Sequence, residues 1–439
     1  MNALRIQRVK FTGLLALAVV TLPFSIAAFN LAAVLLFVSW IIDWDWKGKW
    51  RTLTANPLVI VFVLFFLMHL FAVSYSADKV TAWFGVEKKI LFIALPLMLA
   101  SVKLEKEDVR FLLNLFIITC LTGTVICLVV AYGKTTQGLT NFNFDAYSAL
   151  NYHTLSPQYN NDAWAFFSYV ELASGIGMHP AYFSLYLTFC VLILIHFHAE
   201  SFSRYGKLKQ VVILLTLFYL SVFIICLSTR IITLAFFIIT IYGTVKFLAP
   251  SSPLIKWSAA FLFGSFLVAV LYLNPVSRFR NYQEMVSTWP FLKTGLQTQS
   301  TTIRASLWFL SIKSLTNTNY LIGTGTGDVE HLIQKTANEY DISNILNTND
   351  PHNQYFYTLL GMGAIGLLLL LSCLILPAIF AFQNQNYFFL TFITLYSLLC
   401  ITESALEVQK GIAFFCLFNS LFLFQPSCVH AFQFKALQA

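Results

Sequence analysis

PLVIVFVLFFLMHLFAVS, residues 57–74, runs for eighteen positions without a charged side chain. A spanning helix needs roughly 20 mostly apolar residues at about 1.5 Å each, so this stretch reads as one. Comparable runs occupy 11–24, 26–42, 89–101, 109–132, 180–197, 210–228, 231–249, 257–274, 353–382, 387–402 and 411–424. Of the 439 residues, 58% are hydrophobic and 10% charged, against about 25% charged in soluble chains. No protein core could hide that much apolar surface, so lipid is the solvent. The pattern predicts an all-α integral membrane protein with about twelve transmembrane helices. Arg5, Arg8 and Lys10 precede the first run like the basic start of a signal peptide. More spans follow at once, so the first run reads as an uncleaved helix.

Lys and Arg accumulate on the cytoplasmic side of membrane proteins. With the N-terminus inside, fifteen of the 27 basic residues fall in cytoplasmic segments against six carboxylates. Twelve basic and thirteen acidic residues then remain outside. The net charge of +8 thus belongs to one face, and membrane topology explains it without nucleic-acid binding. This orientation places two long polar segments outside, near 133–178 and 275–351. The expected organisation is spans 1–9 within 1–274, a large helical loop over 275–351, and spans 10–12 with a cytoplasmic tail over 352–439. Within the large loop, Ile303, Leu307, Leu310 and Ser314 recur at helical spacing. A short helix is expected from Val329 to Asn338. Loops this long in a compact protein are usually functional.

Seven of the eight cysteines lie inside apolar runs, Cys428 being the exception, and read as small packing residues. No nucleotide-binding glycine fingerprint or HExxH pair occurs. No carboxylate cluster suited to a hard divalent cation is evident outside. The Gly323-Thr324-Gly325-Thr326-Gly327 stretch reads as a turn that lets backbone approach closely.

Four places could carry chemistry. In Asp350-Pro351-His352-Asn353-Gln354, Asp reads as a helix N-cap and Pro as the first helical residue. That puts His352 and Asn353 in the first turn of the tenth span, where the helix dipole disfavours imidazolium. A neutral imidazole accepts a proton from a hydroxyl. Arg230 sits in a connection of almost no length between two spans. A guanidinium there holds a phosphate, snorkels to the interface, or pairs with Glu403 or Glu407. Arg304 lies on the amphipathic helix of the large loop, with Arg278 and Arg280 upstream. His179-Pro180 opens the sixth span.

These features resemble the O-antigen ligase and O-antigen polymerase family. The resemblance rests on Ser228-Thr229-Arg230, Arg304 with Trp308, Leu321-Ile322-Gly323-Thr324-Gly325, Pro351-His352-Asn353-Gln354 and Gly361-Met362-Gly363-Ala364-Ile365-Gly366. It covers roughly residues 210–424, and the N-terminal part only by hydropathy. It implies a metal-independent glycosyltransferase without a cofactor, in the bacterial inner membrane, with its active site facing the periplasm. The implied donor is a glycan on undecaprenyl diphosphate. The implied acceptor is the lipid A core in ligases, or another lipid-linked glycan in polymerases. The family's two arginines and histidine map to Arg230 and Arg304, which would hold the diphosphate, and to His352, which would be catalytic. Asn353, Gln354, Arg278, Arg280 and His179 are further contacts for acceptor or donor. A transporter or flippase of lipid-linked sugars explains the spans equally well. It predicts ionisable residues near mid-span, where His69 is the main candidate, and leaves the large outside loop unexplained.

Overall fold

The computed structural model describes residues 2–42, 46–54, 56–138, 166–199, 201–248, 253–274, 300–340 and 348–425. Among these the regular elements are helices, with one isolated β-bridge between Asn319 and Gly323. In chain order they are α1 (Asn2–Thr21), α2 (Ile26–Ile42), α3 (Trp46–Thr54), α4 (Leu58–Tyr75), α5 (Lys79–Lys89), α6 (Leu91–Ser101) and α7 (Lys106–Gly138). Next come α8 (Tyr169–Ala173), α9 (Pro180–His198), α10 (Lys207–Cys226), α11 (Arg230–Phe247) and α12 (Pro253–Leu273). The last are α13 (Ser300–Ser314), α14 (Val329–Glu339), α15 (Gln354–Gln383), α16 (Tyr387–Thr402) and α17 (Gln409–Phe424).

Six of them, α4, α7, α9, α10, α11 and α15, are long and apolar enough to cross a membrane. Shorter apolar helices lie at Ile26–Ile42, Phe261–Leu273, Tyr387–Thr402 and Gln409–Phe424. The chain is a multi-pass membrane protein. The apolar run at 89–101 forms α6, whose 11 residues reach only about 16 Å, roughly half a hydrocarbon core. The expected helices of the large loop are present as α13 and α14. Arg278, Arg280, Cys428, most of the 133–178 segment, and 275–299 and 341–347 of the large loop lie outside the described residues.

The chain forms two compact units, one of Met1–Leu115 with Ile303–Lys435, the other of Phe116–Thr302. In the second, α9 is buried along nearly its whole length. Thr229, which precedes α11, donates its hydroxyl to Ser184 Oγ of α9 at 2.7 Å.

The first unit has two polar ends. At one, Trp40 Nε1 donates to Ser101 Oγ at 2.7 Å, Arg8 pairs with Glu105 and Asp108, and Gln425 bonds the backbone of Leu99, Val102 and Leu104. At the other end meet the α4–α5 turn, the stretch 319–328, the start of α15 and the connector 403–408. Three helices share a core there: Ile303, Leu307 and Leu310 of α13, Val329, Ile333 and Ala337 of α14, and Tyr357 and Leu360 of α15. Ser314, the fourth residue of the α13 face, is buried and bonds Thr336 Oγ1 at 2.8 Å.

α15 is broken at Gly363, whose φ of 63° and ψ of −163° leave the helical region. The glycine stretch fills the break. Thr324 N donates to Leu360 O at 2.8 Å, and Gly325 N to Gly361 O at 2.9 Å. Beyond the break, Ala364 N donates to Tyr320 O at 2.8 Å and Ile365 N to Leu321 O at 3.1 Å. Two helical bonds, from Ala364 N to Leu360 O and from Ile365 N to Gly361 O, are thus exchanged for bonds to the inserted segment, which keeps these groups paired as lipid requires. A Cβ on Gly363 would collide with the backbone of Leu321 and Ile322, and one on Gly323 with that of Gly361 and Met362. The close approach expected of the 323–327 stretch is thus present at Gly323. Tyr75 Oη donates to Ile322 O at 2.5 Å, and Asp328 accepts from the N–H groups of Ala77 and Asp78 at 2.7 and 2.8 Å. Between helices in lipid such bonds carry much of the specificity, because the hydrophobic effect contributes little there.

Candidate functional site

The second polar end of the first unit gathers ionisable side chains around the connector 403–408. Glu403 is buried. Its Oε1 accepts from Arg304 Nη2 at 2.8 Å, and its Oε2 faces His352 Nδ1 at 3.5 Å. The second contact is longer than a closed hydrogen bond. Catalytic contacts often tighten only with substrate bound. With Nδ1 turned to the carboxylate, Nε2 is the ring nitrogen left to meet a ligand. Four residues on, Glu407 Oε2 accepts from Lys89 Nζ at 2.6 Å and its Oε1 from Gln354 Nε2 at 3.1 Å. Lys89 is 1% exposed. Lys88 Nζ donates to the Glu407 carbonyl at 3.1 Å.

His352 does not occupy the first turn of α15, as the sequence predicts. Asn353 is the N-cap, its Oδ1 accepting from Tyr355 N at 2.9 Å and Phe356 N at 3.1 Å. His352 precedes the cap with φ at 46°, in the left-handed region. Asp350, expected as the cap, instead accepts the His352 N–H at 2.7 Å and the Ser404 hydroxyl. That is an Asx turn, which tolerates the unusual backbone. A non-glycine residue held there stores strain, on the order of 1 kcal/mol, and such residues concentrate at functional sites.

The other sequence candidates fall as follows. Gln354 is buried, and its side chain holds Glu407, Thr358 and the Leu406 N–H. With the Asn353 Oδ1 engaged in capping, both residues shape the site from within. Arg230 is the first residue of α11 and belongs to the second unit, as does His179, the N-cap of α9. Glu403 and Glu407, the two carboxylates weighed as Arg230 partners, belong to the first unit. The sequence did not mark Glu403 or Lys89 as members of the site. The available signal was a pair of carboxylates in a connector of six residues between apolar helices.

Glu330, in the first turn of α14, has its carboxyl pushed up by burial, with Asp350 and Glu407 adding to the shift. Among the described residues, no group of three His, Cys, Asp or Glu is placed to hold a metal ion.

No curated protein matches the chain. Residues 215–371 match the family model described as O-antigen ligase. This match supports an O-antigen ligase family assignment for the stretch that contains Arg230, Arg304 and His352.

Proposed function

We propose that this protein transfers a glycan from undecaprenyl diphosphate to an acceptor hydroxyl on the periplasmic side of the bacterial inner membrane. The acceptor is the lipid A core or a second lipid-linked glycan. The observation that carries the reading is the buried Glu403 carboxylate joining Arg304 to His352. His352 Nε2 takes the acceptor proton as the hydroxyl oxygen attacks the anomeric carbon. The bond from that carbon to the phosphate oxygen breaks, and its electron pair leaves with the diphosphate. Charge grows on the departing diphosphate, and Arg304 is placed to neutralise it. Arg230 has the same task on the family resemblance alone. Glu403 orients the imidazole and stabilises imidazolium as it forms, as a carboxylate does in a catalytic triad.

The activated leaving group makes a metal unnecessary. Asp328 and Asp350, two carboxylates near the site, accept backbone N–H groups. The test is transfer by purified protein in excess chelator. Full turnover is expected, and loss restored by magnesium overturns metal independence. Arg304→Lys and Arg230→Lys keep the charge but lose the planar fork, so each should lose most activity. Wild-type rates for both would remove the diphosphate assignment.

A further inference from the structure

Arg304 and Trp308 lie one turn apart on α13 and share a face. His352 and Phe356 are likewise four residues apart, on either side of the α15 cap. The two pairs meet twice. Glu403 touches both Arg304 and His352, and the Trp308 ring meets the Phe356 ring at 6.3 Å with planes tilted by 56°. His352 precedes the span, whereas Phe356 is in its first turn, so the aromatic layer lies deeper than the polar one.

Trp308 Nε1 is buried and has no hydrogen-bond partner among the described residues, and Arg304 Nε is in the same state. Buried indole N–H groups normally find an acceptor, and leaving one without is destabilising. Two such donors one turn apart on one face call for a ligand with two neighbouring acceptor oxygens.

We infer that Trp308 binds the lipid donor through its indole N–H. This rests on the transferase reading proposed above. A lipid diphosphate sits with its tail deepest, so the phosphate on the polyprenol meets the aromatic layer. The sugar-bearing phosphate then meets the polar layer beside His352. Trp308 Nε1–H donates to an oxygen of the lipid-side phosphate, Arg304 Nε–H to its neighbour, and Phe356 braces the indole from the opposite helix.

The test measures binding of farnesyl diphosphate, a short polyprenyl diphosphate, to purified wild type, Trp308→Phe and His352→Ala. The Phe variant keeps an aromatic ring against Phe356 while losing the N–H donor and part of the indole's bulk. It should bind roughly tenfold more weakly and raise the KM for lipid donor by a similar factor, with kcat changed less than twofold. His352→Ala should bind as wild type does. In wild-type protein labelled at the indole nitrogens, one of nine tryptophan signals should move downfield on adding farnesyl diphosphate. That reading holds even if the variant fails to fold. Equal affinity of the folded Phe variant, or nine unmoved signals at saturation, overturns the inference and assigns the N–H to water. The transferase reading survives that result if His352→Ala still abolishes transfer. Failure of wild type to bind farnesyl diphosphate at all would overturn both.

Discussion

Two histidines stand at helix starts beside a proline, and the structure uses them differently. His179 is itself the N-cap of α9, in extended backbone, and its Nδ1 accepts the Ala181 N–H at 3.4 Å. His352 is released from that duty because Asn353 caps α15 with its own side chain. Its backbone turns left-handed, its N–H goes to Asp350, and its Nδ1 faces Glu403. In one, the imidazole serves the backbone. In the other it faces a carboxylate, an arrangement that fits the general-base role proposed for it. Which side chain does the capping decides which imidazole serves the backbone.

The most severe test of that contrast is to remove each imidazole. His352→Ala should lose about 100-fold to 10,000-fold in transfer rate. His179→Ala should lose about 1 kcal/mol of stability, as helix caps do, with its rate within a few-fold of wild type. Equal loss of rate in both folded variants would break the comparison. Next in size is Glu403→Gln, which keeps the shape and removes the charge that orients His352. A kcat loss of about 100-fold is expected, along with a change in the acidic limb of the pH–rate profile, where a general base becomes protonated. An unchanged profile would return Glu403 to a purely structural role.

Gly363→Ala tests what holds α15 below the histidine. The added Cβ meets the Leu321 and Ile322 backbone at a positive φ, and a cost of roughly 1–3 kcal/mol is expected. Gly85→Ala, with open space around its Cβ, should lack that penalty. Matching melting temperatures for the two would show that the inserted segment yields freely. The smallest effect belongs to Glu330. Its folded carboxyl titrates above the ordinary range, so through that window the folded state holds more protons than the unfolded one. Stability therefore falls as pH rises through it. Glu330→Gln should raise Tm at neutral pH, on the order of 1 °C after solvent screening. The gain should vanish below the usual carboxylate range. A gain that persists at low pH would deny the titration a part.

The helices were legible because lipid demands long apolar runs, and the face of α13 because Ile303, Leu307, Leu310 and Ser314 are indeed its buried side. Three things were not. The start of α15 shifts because Asp350 is engaged by the His352 N–H and Ser404, so Asn353 caps instead. The break at Gly363 is invisible in a run that stays apolar on both sides. The partners of Arg304 and Lys89 lie 99 and 318 positions away in the chain, and no local pattern announces a contact at that range.

The segment inserted at Gly363 also constrains how the protein is made. With the segment seated at Gly363, the α15 groups that an unbroken helix would pair with one another bond Tyr320, Leu321, Thr324 and Gly325 instead, and lipid offers them no other partner. The ribosome delivers those residues before α15, so they are at hand when that helix is made. An unbroken helix can satisfy the same groups until the segment seats, so the break exchanges bonds within α15 for bonds to chain already made.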